Sequence, residues 1–221
     1  MNIAVLEFFI NNSKLKEFNK KRVLEIGSRY INGSVRPLIE KFFSPKEYVG
    51  INWEPGKFVD VVLLAEKSLE YFGPESFDVV IATELLEHIK NWRLVIKNMK
   101  GVLKSNGYIY ITTRSRGFPY HGYPYDFWRY EIEDIKTMFA DFELLALKKD
   151  PEAPGVFLKA KKPKRNITPI DLSNISLYSM ILDRRIKRII DIADMPLAKR
   201  IKMSLSTKFR KWIKFVLKLT K

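Results

Sequence analysis

Between Arg22 and Arg36 this 221-residue chain carries an acid, two glycines and a polar loop, the combination best suited to hold a small charged molecule. Arg22-Val23-Leu24-Glu25-Ile26 reads as a short apolar strand; Gly27 and Gly33 then stand across a polar loop, and a helical pattern follows. Glycine permits positive φ and close backbone approach, and the first turn of a helix offers unpaired N–H groups to a ligand. A pyrophosphate loop requires G-x-G-x-x-G. Here Arg29 occupies the place of the second glycine, and the next glycine comes only at Gly33. An acid ending the strand and a wider loop suit a ligand with positive charge, so Glu25 is the expected partner of an ammonium group. Gly27, Ser28 and Gly33 shape the loop around it.

Two later segments hold groups that could move a proton. Thr83-Glu84-Leu85-Leu86-Glu87-His88 follows an apolar run. If it opens a helix, Glu84 and His88 share a face at i and i+4, although the spacing is not that of an H-E-x-x-H metal site. Glu84 or Glu87 is expected to orient the ligand or fix the turn. His121 lies between Phe118-Pro119-Tyr120 and Tyr123-Pro124-Tyr125-Asp126-Phe127-Trp128, a stretch too aromatic for a solvated connection. Histidine suits general-base work near neutral pH, and Asp126 could orient its ring. The alternative is a structural lid. Arg114, Arg116 and Arg129 surround the same opening, which favours an acidic acceptor unless they pair with Glu131, Glu133 or Asp134.

The elements that must position these groups alternate between short apolar runs and helical patterns, as in a parallel sheet with crossover helices. The runs predict strands near 22–26, 47–51, 58–64, 77–82, 107–113, 142–149 and 155–161. Helices are expected near 4–18, 34–43, 91–104 and 131–140. The turn Asp150-Pro151-Glu152-Ala153-Pro154-Gly155 closes a final hairpin. In open sheets of this kind a ligand sits beyond the carboxyl ends of the strands, where each of the segments above falls.

Taken in order, the segments resemble the class I S-adenosylmethionine-dependent methyltransferases. The similar branch, methyltransferase type 11-like, has a loop reading Gly-Ser-x-x-x-Asn-Gly-Ser-Val-Arg-Pro-Leu, matched here from Gly27 to Leu38. The further matches are Tyr48-Val49-Gly50-Ile51 with Glu54-Pro55-Gly56, Phe77 through His88, and Gly117 to His121 through Asp126 to Tyr130. The resemblance implies an α/β, Rossmann-like fold with a seven-stranded, mostly parallel sheet whose last strand is antiparallel. It implies S-adenosyl-L-methionine as cofactor, held by Glu25, Gly27, Ser28 and Gly33, by Asn52, Trp53 and Glu54 after the second strand, by Ala65 and Glu66 after the third, and by Thr83 and Glu84 after the fourth. His121, Asp126 and His88 are the expected catalytic groups. Two positions depart from the pattern. Asn52 replaces an Asp that accepts both ribose hydroxyls, and an amide has one acceptor oxygen; Glu54, facing the same side of an extended segment, would substitute. Leu64 replaces a second Asp. These changes imply weakened cofactor binding or a fold that no longer catalyses.

Composition narrows the rest. No cysteine is present, which excludes disulfides and thiolate sites, and two histidines argue against a histidine-built metal site. No run approaches the length of a membrane span, and the short apolar start carrying Glu7 is unlike a secretion signal, so a cytoplasmic protein is expected. The net charge of +15 is concentrated from Lys161 onward, where 17 Lys and Arg face 4 Asp. The chain therefore divides into a cofactor-binding domain, 1–162, and a basic extension, 163–221, helical in pattern over 172–193 and 197–219. Its basic amphipathic faces suit an anionic membrane surface, with nucleic acid or packing and dimerisation through the C-terminal helices as alternatives. The expected reaction is O-methylation of a glycan, lipid-linked sugar or other small acceptor, at the inner face of the membrane. An RNA or DNA methyltransferase with the tail as clamp is the rival, although no Asn/Asp-Pro-Pro-Tyr/Phe follows the fourth strand. A non-catalytic binding protein is the third reading.

Overall fold

The computed structural model describes residues 2–164 and 168–205. Its frame is a seven-stranded sheet built from β1 (Arg22–Ile26), β2 (Glu47–Asn52), β3 (Val61–Val62), β4 (Phe77–Thr83), β5 (Leu103–Arg114), β7 (Glu143–Lys149) and β8 (Gly155–Lys161), in the order 3-2-1-4-5-8-7. The pairs from β3 through β5 are parallel, and β8 runs antiparallel to both β5 and β7. β8 is thus the one reversed strand, as expected for the final hairpin. A smaller sheet joins β6 (Trp128–Arg129), β9 (Leu177–Ser179) and β10 (Arg184–Ile186).

Helices cover both faces. On one lie α1 (Ile3–Asn12), α2 (Leu15–Phe18) and α3 (Arg36–Phe43), whose Val5, Phe8, Phe9, Phe18 and Ile39 pack with Val23, Val79, Ile81 and Phe157. On the other, α4 (Ser68–Phe72), α5 (Trp92–Val102) and α6 (Ile132–Met138) meet Leu24, Ile26, Val80, Ile109 and Leu158. Alternate strand residues serve opposite layers, which is why the strands read as unbroken apolar runs.

Several elements differ from expectation. The 4–18 helix breaks at Ser13, whose extended backbone (φ −90°, ψ 142°) caps α1, because the polar Asn11-Asn12-Ser13 run competes for backbone hydrogen bonds. The 58–64 strand shrinks to Val61–Val62: Asp60 accepts from Gly50 N (2.7 Å) and Arg36 Nη1 (2.6 Å), fixing a turn where ladder pairing was expected. The 172–193 helix is absent. Its apolar residues Leu172, Ile175, Leu177, Ile181, Ile186, Ile189 and Ile190 instead pack the hairpin β9–β10 against the main core. β9 pairs with β6, so the small sheet joins the two sides of the 162/163 division. Helix is observed over 197–205, and the basic 206–221 segment lies outside the described residues. Among the described residues no helix is long and apolar enough to cross a membrane.

Candidate active site

The parallel register brings the carboxyl ends of β1, β2, β4 and β5 to one edge of the sheet: Ile26 stands beside Ile51, and Thr83 beside Thr112. Glu25, the acid near the end of β1, is 2% exposed, and Tyr48 donates its hydroxyl to Glu25 Oε2 at 2.9 Å. Burial pushes this carboxyl up to about 7, against the opposing pull of the Tyr48 hydrogen bond and the Arg36 charge. Gly27 turns the chain at φ +82°, a conformation costly for other residues. Its N–H and those of Ser28 and the Ser28 hydroxyl converge on the Ile51 carbonyl, at 2.9, 3.1 and 3.3 Å. Gly50 sits under this turn, where a Cβ would fall 2.1 Å from Phe58 O and 2.6 Å from Ser28 Oγ. Gly33 (φ +135°) closes the loop before α3.

After β2 the backbone bends instead of remaining extended, so Asn52 and Glu54 do not share a strand face. Asn52 Nδ2 donates to the Glu54 carbonyl at 2.9 Å, and Glu54 gives a carboxylate oxygen to Arg29. The expected substitute acid is therefore engaged by the residue that replaced the loop's second glycine. Ala65 opens a 3-10 turn after β3, Glu66 uses its carbonyl to accept from Asn98 Nδ2 (2.7 Å), and Leu64 is exposed. Trp53 is exposed and meets the Tyr125 ring edge-on at 5.8 Å, linking the β2 end to the aromatic loop.

The segment after β4 does not open an α-helix. Glu84 adopts φ +51° and a 3-10 turn follows over Leu86–His88, so the i, i+4 face expected for Glu84 and His88 is not formed. Thr83 ends β4, and Glu84 N–H donates to the Thr112 carbonyl at 2.8 Å. The Glu84 carboxylate pairs with Arg114; burial, with the neighbouring Glu87 charge, pushes it up to about 7 despite that partner. Arg114 also reaches Asp150 at 2.9 Å and is 5% exposed. Arg129 is fully buried and grips Asp126 with two bonds, at 2.5 and 2.8 Å. Burial opposes the Asp126 charge, yet the bonds from Arg129 and His121 hold the carboxyl below its usual range. Arg114 and Arg129 are thus internal ion-pair members, paired with acids other than those expected, and do not line the opening as free cations. Arg116 lies over the Tyr178 ring, 4.8 Å from its centre.

Asp126 accepts from the backbone N–H of His121 at 2.6 Å, which holds the histidine by its main chain, and stands 3.2 Å from its Nδ1 without a hydrogen bond to it. His121 and His88, distant in sequence, meet edge to face with ring centres 4.7 Å apart. His88 Nδ1 donates to the Tyr125 carbonyl. Glu87, fully buried, accepts from Thr113 Oγ1 at 2.9 Å. Sequence reasoning offered Glu87 only as an alternative to Glu84 for orienting the ligand or fixing the turn, and it did not place Thr113 or Tyr120 at the site. A separate cavity of about 740 Å3 lies beside the outer face of α5, between Arg93, Lys97 and the 169–173 segment, and none of the predicted site residues lines it.

A 3-2-1-4-5 parallel sheet with one reversed strand, a buried acid under a glycine turn and an aromatic loop over the strand ends define the Rossmann-like class I methyltransferase fold, in which S-adenosyl-L-methionine is the methyl donor. The chain belongs to the methyltransferase-domain family, whose model matches residues 5–148. It is 24% identical over 136 residues to the (S)-coclaurine N-methyltransferase of Thalictrum flavum subsp. glaucum, a match covering 56% of this chain and 37% of the relative. It is 33% identical over 63 residues to the ubiquinone biosynthesis O-methyltransferase of Photobacterium profundum, covering 28% and 27%. The chain thus spans about a third of the length of these curated relatives. Among solved structures, the Burkholderia thailandensis 1,6-didemethyltoxoflavin-N1-methyltransferase, bound to 1,6-didemethyltoxoflavin and S-adenosylhomocysteine, superimposes with a TM-score of 0.57 at 12% identity, over 73% of this chain and 77% of that one.

Proposed function

We propose that this protein transfers the methyl group of S-adenosyl-L-methionine to an oxygen of a small hydroxylated acceptor, such as a sugar or lipid-linked sugar. One observation carries the reading. Of six buried side-chain polar atoms that lack a hydrogen-bond partner among the described residues, five belong to the β4 and β5 ends and the aromatic loop: Glu84 Oε1, Glu87 Oε1, Arg114 Nε, Tyr120 Oη and His121 Nδ1. Buried polar groups are almost always paired, so such a cluster is the imprint of a polar ligand. The cofactor residues fit a cationic nucleoside at the neighbouring β1 and β2 ends, with Glu25 beneath the loop.

The donor supplies a carbon already activated by its sulfonium. The protein supplies alignment, worth up to about 7 to 11 kcal/mol. Trp53 and Tyr125, in contact across the cleft, close over both ligands and exclude water. The hydroxyl must lose its proton as its oxygen attacks, and His88, His121 and Glu87 surround the place where that oxygen would lie. The relatives' names divide between nitrogen and oxygen acceptors, so the preference for oxygen rests on this polar wall.

Calorimetric titration with S-adenosyl-L-methionine, followed by transfer of labelled methyl to parallel panels of hydroxyl and amine acceptors, tests the reading. Binding with label on hydroxyls is expected. No binding would remove the enzyme, and label confined to amines would remove the oxygen acceptor.

A further inference from the structure

Both histidines of the chain stand in one place, 33 residues apart in sequence yet in ring contact. One donor atom from each of Glu87, His88 and His121 lies within 4.8 Å of the other two. Deepening the methyltransferase reading, on which it rests, we propose that these three side chains bind a divalent transition-metal cation that receives the acceptor's hydroxyl oxygen.

The donor set is the first argument. Two imidazoles and one carboxylate suit zinc, iron or manganese, and three protein ligands leave positions open for a substrate. The second argument is the state of the donors. Glu87 is fully buried, one oxygen is held by Thr113 and the other, Oε1, has no partner. A buried carboxylate oxygen without a hydrogen bond is expensive to maintain, and a cation removes the deficit. The third is tautomer control. Because a carbonyl can only accept, His88 must carry its hydrogen on Nδ1 toward Tyr125 O, which leaves the Nε2 lone pair for a metal. His121 is anchored through its backbone N–H on Asp126, which is itself locked by Arg129, and its Nδ1, 3.2 Å from that carboxylate, makes no hydrogen bond, so the ring can turn a nitrogen toward a cation. Metal–ligand bonds of about 2.0 to 2.2 Å need the three donors to draw closer by about 1 Å at most. Rotation of the half-exposed His121 ring supplies that shift.

The chemistry balances without a further reagent. A cation lowers the pKa of a bound hydroxyl, and its proton leaves to solvent past His121. The oxygen then forms its bond to the methyl carbon as the carbon–sulfur bond breaks, leaving a neutral thioether. The imidazoles serve as ligands in this arrangement, and the proton needs no protein base.

The test uses the full, untagged chain after treatment with chelator. Cobalt(II) titration followed by visible absorption, and zinc titration by calorimetry, should each report one ion per chain. His88→Ala and His121→Ala should each weaken binding by more than about tenfold. Thr113→Val, which keeps all three ligands, should weaken it by about tenfold through the misoriented Glu87. Thermal melts establish that the variants are folded, and Glu87→Gln gives a second, near-isosteric probe. Absence of cobalt absorption and of zinc heat in the wild-type chain overturns the proposal. So does equal affinity in both histidine variants. S-adenosyl-L-methionine binding, measured on the same samples without metal, reports separately on the methyltransferase reading, so the two can fail independently.

Discussion

Glu25 should make cofactor binding release a proton. The carboxyl is buried beneath the glycine turn and titrates near 7, so at pH 7 about half of the molecules hold it neutral. An ammonium beside it favours the charged form, and binding must then expel about 0.5 proton per cofactor at pH 7. Between pH 7 and pH 6 the ionised fraction falls from about 0.5 to about 0.1, which raises the apparent Kd about fivefold. The α-amino group of the ligand titrates near 8, so measurements belong below pH 7.5. Calorimetry in two buffers of different ionisation enthalpy reads the proton count directly. In the free protein the sign is opposite. The folded pKa lies above the ordinary value of 4.5, so the stability this group contributes is fully present below 4.5 and is lost as pH rises through about 7, a total of about 3 kcal/mol. Glu25→Gln should therefore stabilise the free protein at pH 8 while binding the cofactor weakly and without pH dependence. Identical heats in the two buffers at pH 7, with a flat affinity from pH 6 to 7.5, would refute the placement of an ammonium at Glu25.

Other predictions concern the departures and the frame. Asn52→Asp provides a charged acceptor for both ribose hydroxyls, and a charge-assisted bond of about 1.5 to 3 kcal/mol should tighten S-adenosyl-L-methionine binding by at least tenfold; unchanged calorimetric affinity would show that the ribose lies elsewhere. Gly50→Ala drives a methyl against Phe58 O and Ser28 Oγ, and urea melts should show a loss of about 1 to 3 kcal/mol together with weakened cofactor binding. Glu17 accepts from Lys159 Nζ and Tyr110 Oη, each at 2.7 Å, in a buried network. Glu17→Gln leaves the ammonium without its counter-charge and should lower unfolding free energy by about 3 to 5 kcal/mol; an unaltered urea midpoint would mean that water reaches the pair.

The sheet was legible because buried parallel strands are continuous apolar runs, and each motif followed such a run. The reversed β8 was announced by the Pro- and Gly-rich turn from Asp150 to Gly155. The C-terminal hairpin was not legible. Ile175, Ile181, Ile186 and Ile189 satisfy a helical spacing, yet their β-branched side chains suit strands, and contacts with the core decided between the two. At the site, sequence shows which ionisable groups are present but not which neutralise one another. Arg114 finds Asp150 36 residues away, and Arg129 turns back on Asp126, so positive charge expected at the opening is consumed inside. Conversely, His88 and His121 were separate motifs until the loop folded back onto the 3-10 turn.

The splice between β6 and β9 has a consequence for the acceptor. Phe127 N–H donates to Glu87 O, and Phe127 O accepts from Met180 N–H, both at 2.8 Å. Arg93 pins the same appendage through the carbonyls of Leu172 (2.7 Å) and Ile175 (2.8 Å). The aromatic loop is thus moored to residues far downstream in the chain. A chain cut after Pro163 would be expected to keep its affinity for the methyl donor while losing discrimination among acceptors. In this architecture, exchange of the terminal hairpin between related sequences would retune which hydroxyl is chosen while leaving the cofactor cradle intact.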